Sequence, residues 1–151
     1  MAHLDLLPLA DFISALKYWD QSWKIHPILV NFTAALVPVS IGSDILGRLL
    51  RRDSLHNAGW WTILYAAIIT PFTVIFGWLF WMPDDNGHTN MTIHKWLGSG
   101  LAVVILGLMV WRLSYRRERR PGIAYLLFGL CVVGALIFQG VLGGNQTFSG
   151  M

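Results

Sequence analysis

The sequence predicts an all-α membrane protein, an up-and-down bundle of four transmembrane helices (residues 26–151) behind an external amphipathic surface segment (residues 1–25). Three observations predict it. Hydrophobic residues make up 55% of the 151 residues and charged ones only 13%, with a mean hydropathy of +0.55, outside the range of soluble domains and enough chain for one domain. Four apolar stretches, Pro27 to Leu46, Ala58 to Trp81, Trp96 to Leu113 and Ile123 to Leu142, are long enough to span ~30 Å of hydrocarbon. All eight arginines fall at two of the breaks between them, Arg48, Arg51 and Arg52, then Arg112, Arg116, Arg117, Arg119 and Arg120.

The first 25 residues lack the cationic start and unbroken apolar core of a signal peptide, because Asp5 and Asp11 interrupt the run Leu4 to Leu16. Leu6, Leu7, Leu9, Phe12, Ile13, Leu16, Trp19 and Trp23 recur at near-helical spacing, with Asp11, Lys17 and Asp20 between them. This predicts a helix lying on the outer membrane surface in contact with lipid.

The first span starts at His26-Pro27, a favoured place for proline because the first turn has no intrahelical N–H bond to lose. His26 itself is a candidate cap. Pro38 and Pro71 fall inside the first two spans and predict kinks, with the freed carbonyls met by neighbours or by hydroxyls such as those of Ser40 and Thr70. The third span starts near His94, with Thr92 as its cap. Pro121-Gly122 marks the restart before the fourth. Connections of about 9 to 14 residues favour antiparallel neighbours. Small residues, Ala34, Ala35, Gly42, Gly98, Gly100, Ala102, Gly107, Gly129 and Gly134, predict close helix approach or room for a flat cofactor.

Short loops rich in Lys and Arg stay in the cytoplasm of a bacterial inner membrane, so both arginine clusters are expected there. The 82–92 connection, with Asp84 and Asp85 and no Lys or Arg, is expected in the periplasm with both termini. Aromatic residues gather at both expected interfaces, Trp19, Trp23, Phe80, Trp81 and Trp96 outside, Trp60, Trp61, Tyr65, Trp111, Tyr115 and Tyr125 inside, and read as anchoring belts. The net charge of +3 is thereby accounted for by topology, and no nucleic-acid partner is expected. Cys131 is the single cysteine, which excludes an internal disulfide and any thiolate-based zinc or iron–sulfur site within the chain.

The candidate site is a pair of histidines. His26 and His94 stand at the starts of the first and third spans, which are parallel and diagonal in an up-and-down bundle, so both imidazoles share one depth at the outer face. With neighbouring axes about 8 to 10 Å apart the diagonal is roughly 12 to 14 Å, the span of a haem iron held by two imidazoles. His26 and His94 are therefore the candidate haem iron ligands, with a b-type haem as the cofactor and a chlorin pigment as its cousin. The competing reading has each histidine simply hydrogen-bonding water and lipid headgroups. His3, His56 and His88 read as solvated. A metal site of His88, His94 and Asp84 or Asp85 can be drawn but matches no familiar ligand spacing. Asp44 lies about 27 Å along the first helix from His26 and reads as an interfacial ion pair with Arg48 at i+4. No nucleophile–base set, phosphate loop or nucleotide fingerprint is visible, so catalysis by this chain alone is not expected.

The segments His26-Pro27-Ile28-Leu29-Val30-Asn31-Phe32, His94-Lys95-Trp96-Leu97-Gly98 and Gly140-Val141-Leu142-Gly143-Gly144 resemble, in order and spacing, the bacterial membrane family known as domain of unknown function 2231. The resemblance covers about residues 24 to 151. It implies a four-helix inner-membrane module, found alone or joined to redox domains, with no settled activity. Asn31 and Val141 stand where the family usually carries further histidines, which puts in doubt any ligand role the family gives those positions. The expected function is a small integral subunit of a respiratory or photosynthetic electron-transfer complex, with the other subunits as partners. The alternatives are a cofactor-free structural anchor or assembly subunit and a small transporter, for which Ser40, Asp44, Thr62, Thr70, Thr73, Ser99 and Gln139 are the inward polar candidates.

Overall fold

A computed structural model describes residues 7–23, 25–81, 89–115 and 120–148, and these described residues form five helices. They are α1 (Leu7–Trp23), α2 (Ile25–Leu50), α3 (Asp53–Phe76), which runs on through a wide π-helical turn at Gly77–Trp81, α4 (Thr89–Leu113) and α5 (Ile123–Phe148). Helices α2 to α5 are each long and apolar enough to cross a membrane, and among the described residues there is no strand. The fold is the expected all-α membrane bundle.

The four spans close a ring in which α2 packs on α3 and α5, and α4 packs on the same two, leaving α2 and α4 diagonal as expected. The core at its centre is Val37, Ile41, Ile63, Ala66, Leu101, Ile105, Leu108, Tyr125 and Val132. Large apolar side chains such as Phe32, Phe72, Val103 and Phe138 point outward, as hydrocarbon contact permits. The α1 segment forms the expected helix and packs against the π-helical turn and α2. Its residues Leu9, Phe12, Ile13 and Tyr18 are exposed.

Several boundaries differ from the sequence reading. The α2–α3 connection is two residues, not a loop of nine or more: Arg51 adopts a left-handed φ of 56° and the Arg52 N–H donates to the Gly47 carbonyl at 3.0 Å, closing the end of α2 as a Schellman turn does. Helix α4 begins at Thr89, so His94 lies in its second turn and Thr92 is no cap. His26 lies inside α2 and is no cap either. Ser40 donates across to the Gly59 carbonyl of α3 at 2.7 Å, and Thr70 to Ala66 at 2.6 Å, so neither meets the carbonyl that the proline of its own helix frees. Tyr125 is fully buried and belongs to the core, not to an aromatic belt. Gly42, Gly100, Gly107 and Gly134 have open space where a side chain would stand, so close approach falls elsewhere.

Candidate functional site

Helices α2 and α3 meet along a heptad-spaced seam in which three polar side chains, His26, Asp44 and His56, each sit on a glycine of the other helix. A Cβ on Gly47 would come within 2.9 Å of the His56 ring, one on Gly59 within 2.9 Å of the Asp44 carboxylate, and one on Gly77 within 2.7 Å of the His26 ring. Between these, the Thr33 hydroxyl donates to Thr70 Oγ1 at 3.2 Å, since the Thr70 and Thr73 hydroxyls are spent on carbonyls of their own helix. Helices α4 and α5 repeat the arrangement. A Cβ on Gly143 would reach within 2.8 Å of the His94 ring, and one on Gly98 within 2.8 Å of Gln139 Nε2.

The two hairpins thus seat polar side chains on glycines in a similar way on either side of the bundle axis. His26 and His94 are corresponding positions, each lodged against a glycine of the following helix. The separation of 68 residues that carries His26 onto His94 also carries Asp44 onto Arg112. Both pairs lie on the diagonal, one at each end of the bundle.

At the histidine end a cavity of about 100 Å³ opens between all four helices. His26 and His94 both line it, together with Thr33, Thr73, Lys95, Ser99 and Gln139 among apolar residues. His26 Nδ1 donates to the Thr73 carbonyl at 2.9 Å. A carbonyl can only accept, so Nδ1 carries a proton, as it does in metal-ligating imidazoles whose other nitrogen donates to a carbonyl. Gln139 Nε2 donates to the His94 carbonyl at 2.8 Å, while His94 Nδ1 and Gln139 Oε1 are buried without a hydrogen-bond partner. The His94 ring is seated against Gly143, which is not among the residues lining the cavity. The α3–α4 side is closed by Trp78, whose indole N–H donates to Ser99 Oγ at 2.9 Å and whose ring packs edge-on to Trp96, 5.6 Å between centroids.

The arginine end departs from the sequence reading. Asp44 does not pair with Arg48, which is exposed and reaches Pro121 instead. It accepts from Arg112 twice, Nη2 to Oδ1 at 3.1 Å and Nε to Oδ2 at 3.2 Å, and from His56 Nδ1 at 3.0 Å. Arg112 Nη2 also donates to the His56 carbonyl at 3.0 Å. All three side chains are fully buried. His56 is therefore no solvated loop residue, and Arg112 no mere topology signal: the two-residue turn brings the first coil of α3 back over Gly47, and the diagonal brings Arg112 to Asp44. Spacing along one helix could show neither contact. The hint available was that Ser40, Asp44 and Gly47 share a heptad face with Thr33 and His26.

Among the described residues no group of three His, Cys, Asp or Glu could hold a metal ion. The drawn site using His88, Asp84 and Asp85 lies outside the described residues apart from His94, as does His3. Cys131 is exposed on α5.

Comparison with known proteins agrees with the architecture. No solved structure matches the chain. Undecaprenyl-diphosphatase of Psychrobacter sp. (strain PRwf-1) is 29% identical over 79 residues, which is 52% of this chain and 28% of that protein, so the likeness spans little more than a quarter of the relative. The family described as predicted membrane protein (DUF2231) matches residues 23–150, all four spans included, and the chain belongs to that family.

Proposed function

We propose that the protein is a small integral subunit of a bacterial membrane electron-transfer complex, holding a b-type haem between His26 and His94 at the outer face. The observation that carries this reading is that two imidazoles at corresponding positions of diagonal, parallel helices line one cavity, with the His26 Nδ1 proton held by the Thr73 carbonyl. The residues suit the group. Two imidazoles would ligate the iron, the flat ring would lie among apolar and small residues including Ala34, Gly98 and Ala102, and Lys95 would face its carboxylates. Haem would supply one-electron chemistry, while the chain fixes ligand orientation and excludes water. The arginines at the other end support an outward-facing site under the positive-inside rule. The absence of any visible catalytic set supports a subunit that works with partners covering its apolar flanks. The surface placement of α1 on lipid belongs to the same reading.

The test is the absorption spectrum of the protein purified from native membranes. A Soret band and reduced α band of two-histidine ligation are expected, lost in either His26→Ala or His94→Ala. Far-red absorption would indicate a chlorin instead, and a colourless protein would leave the structural-anchor reading in its place.

The partial likeness to an undecaprenyl-diphosphatase favours a second reading, action on undecaprenyl diphosphate. Against it, no Asp or Glu is among the described residues that line the cavity. Release of phosphate from undecaprenyl diphosphate by the pure protein would establish it.

A further inference from the structure

The arginine end of the bundle carries a cationic surface that the histidine site does not use, and the seam between α2 and α5 leads to it. Ile41 of α2 lies against Gly129 of α5, where a side chain on the glycine would strike it. Two turns further along α2 stands Arg48, whose Nη1 donates to the carbonyl of Pro121, just before α5, at 3.4 Å. The pairs Ile41–Gly129 and Arg48–Pro121 show the two helices running antiparallel, and the seam ends on a guanidinium from one helix tied to the backbone that leads into the other. Arg120 is the next residue in the chain to that carbonyl. Both arginines are exposed, so the fold brings two cations from distant parts of the sequence to one spot on its surface.

No carboxylate of the bundle balances them. Among the described residues none pairs with Arg48 or Arg120, because Asp44 is spent inside the bundle on Arg112 and His56, and Asp53 is the only other described acid at this end. Arg48 spends one of its five N–H donors on Pro121 and keeps the rest. Beside the two charges both helices present apolar surface, with Leu46 and Leu49 of α2 and Ile123 and Leu127 of α5 exposed. Both helices are long and apolar enough to cross a membrane, so that surface meets acyl chains while the arginines at the helix ends stand at headgroup level.

We infer that Arg48 and Arg120 hold the phosphate of an anionic phospholipid whose acyl chains lie along the outer face of α2 and α5. A guanidinium presents paired N–H donors that match phosphate oxygens, and basic positions between transmembrane helices are where anionic headgroups are captured. The lipid supplies an anion and an apolar body in the order in which the bundle presents arginines and leucines. A free phosphate would use only the charges. The site is separate from the haem reading, since neither the cavity nor the histidines take part.

The experiment is native mass spectrometry of the full chain released from detergent micelles doped with equal amounts of phosphatidylglycerol and phosphatidylcholine of the same acyl chains, which reads the lipids retained by their mass. One basic residue at a membrane surface is worth about fivefold toward an anionic lipid, so the wild type should retain phosphatidylglycerol over phosphatidylcholine by about twentyfold. Arg48→Gln and Arg120→Gln should each lower that preference about fivefold, and the double variant should remove nearly all of it. Arg51→Gln combined with Arg52→Gln, in the turn between α2 and α3, should keep it within about twofold. Unchanged helical content shows that a variant is folded; if Arg48→Gln, which also loses the Pro121 bond, is not, Arg120→Gln decides. A wild-type protein that retains both lipids alike overturns the proposal and leaves the arginines to solvent or to an acidic protein surface. An equal loss in the Arg51 and Arg52 variant overturns it too, because the attraction would then belong to the arginine end as a whole and not to a site on α2 and α5.

Discussion

Asp44 and Arg112 stand at corresponding positions of two helical hairpins and are bonded to each other across the bundle diagonal, Nη2 to Oδ1 at 3.1 Å and Nε to Oδ2 at 3.2 Å. Both are fully buried, so removing one partner strands the other's charge in a medium that cannot solvate it. Asp44→Asn and Arg112→Met should each destabilise the bundle by about 3–5 kcal/mol, while the double variant Asp44→Leu with Arg112→Met should recover most of that loss. Equilibrium unfolding in mixed detergent micelles measures all three. Single variants that unfold like the wild type would show the pair to be dispensable.

Ser40 supplies the contrast within one turn of Asp44. Its hydroxyl donates to the Gly59 carbonyl at 2.7 Å, a buried bond between neutral groups. Ser40→Ala should cost about 0.5–1.5 kcal/mol in the same unfolding assay, well below either charge variant.

The glycine seats under the histidines give a prediction with a built-in comparison. Gly77→Ala and Gly143→Ala each drive a methyl group into an imidazole, at 2.7 Å and 2.8 Å. Both should displace the ring and weaken or abolish any haem spectrum, by the same mechanism on opposite sides of the axis. Gly100→Ala and Gly107→Ala meet open space, so they should leave the spectrum intact and gain up to about 1 kcal/mol from the better helix propensity of alanine. The four spectra and melting curves check this together. An unperturbed site in Gly77→Ala would remove the seat from the account of His26.

Orientation is testable with single cysteines. In a Cys131→Ser background, Thr92→Cys at the histidine end should react with an impermeant maleimide in intact cells, and Ser54→Cys at the arginine end only after the membrane is opened. The reverse pattern would place the histidine cavity on the cytoplasmic side.

The sequence made the spans legible because hydrocarbon thickness and apolar run length are tied together, and it made the diagonal legible because short connections allow one ring order. The shared depth of His26 and His94 followed from those two facts, since they head parallel diagonal helices. The other end did not. Asp44 with Arg48 at i+4 looks like a pair only while the helix is viewed alone; rotation about the α2 axis, set by the heptad line of His26, Thr33, Ser40 and Asp44 against α3, turns Asp44 inward and leaves Arg48 outside. His56 was hidden by the length of the turn before it. Arg51 in a left-handed conformation shortens that connection to two residues, and non-glycine residues do this too seldom for a sequence to announce it. The glycines mattered as well, but as seats for polar groups and not as the general packing surface that composition suggests.

The tight turn at Arg51 and Arg52 also bears on how the chain enters a bilayer. With only two residues between them, α2 and α3 can reach their places only as a unit, folding back as they insert while the arginines stay where they began. His26, Thr33, Ser40 and Asp44, each costly against lipid, are then covered by α3 from the moment of entry, and the same holds for His94 beneath α5. Assembly reduces to docking two finished hairpins, and the Asp44–Arg112 bond is a buried contact that requires both.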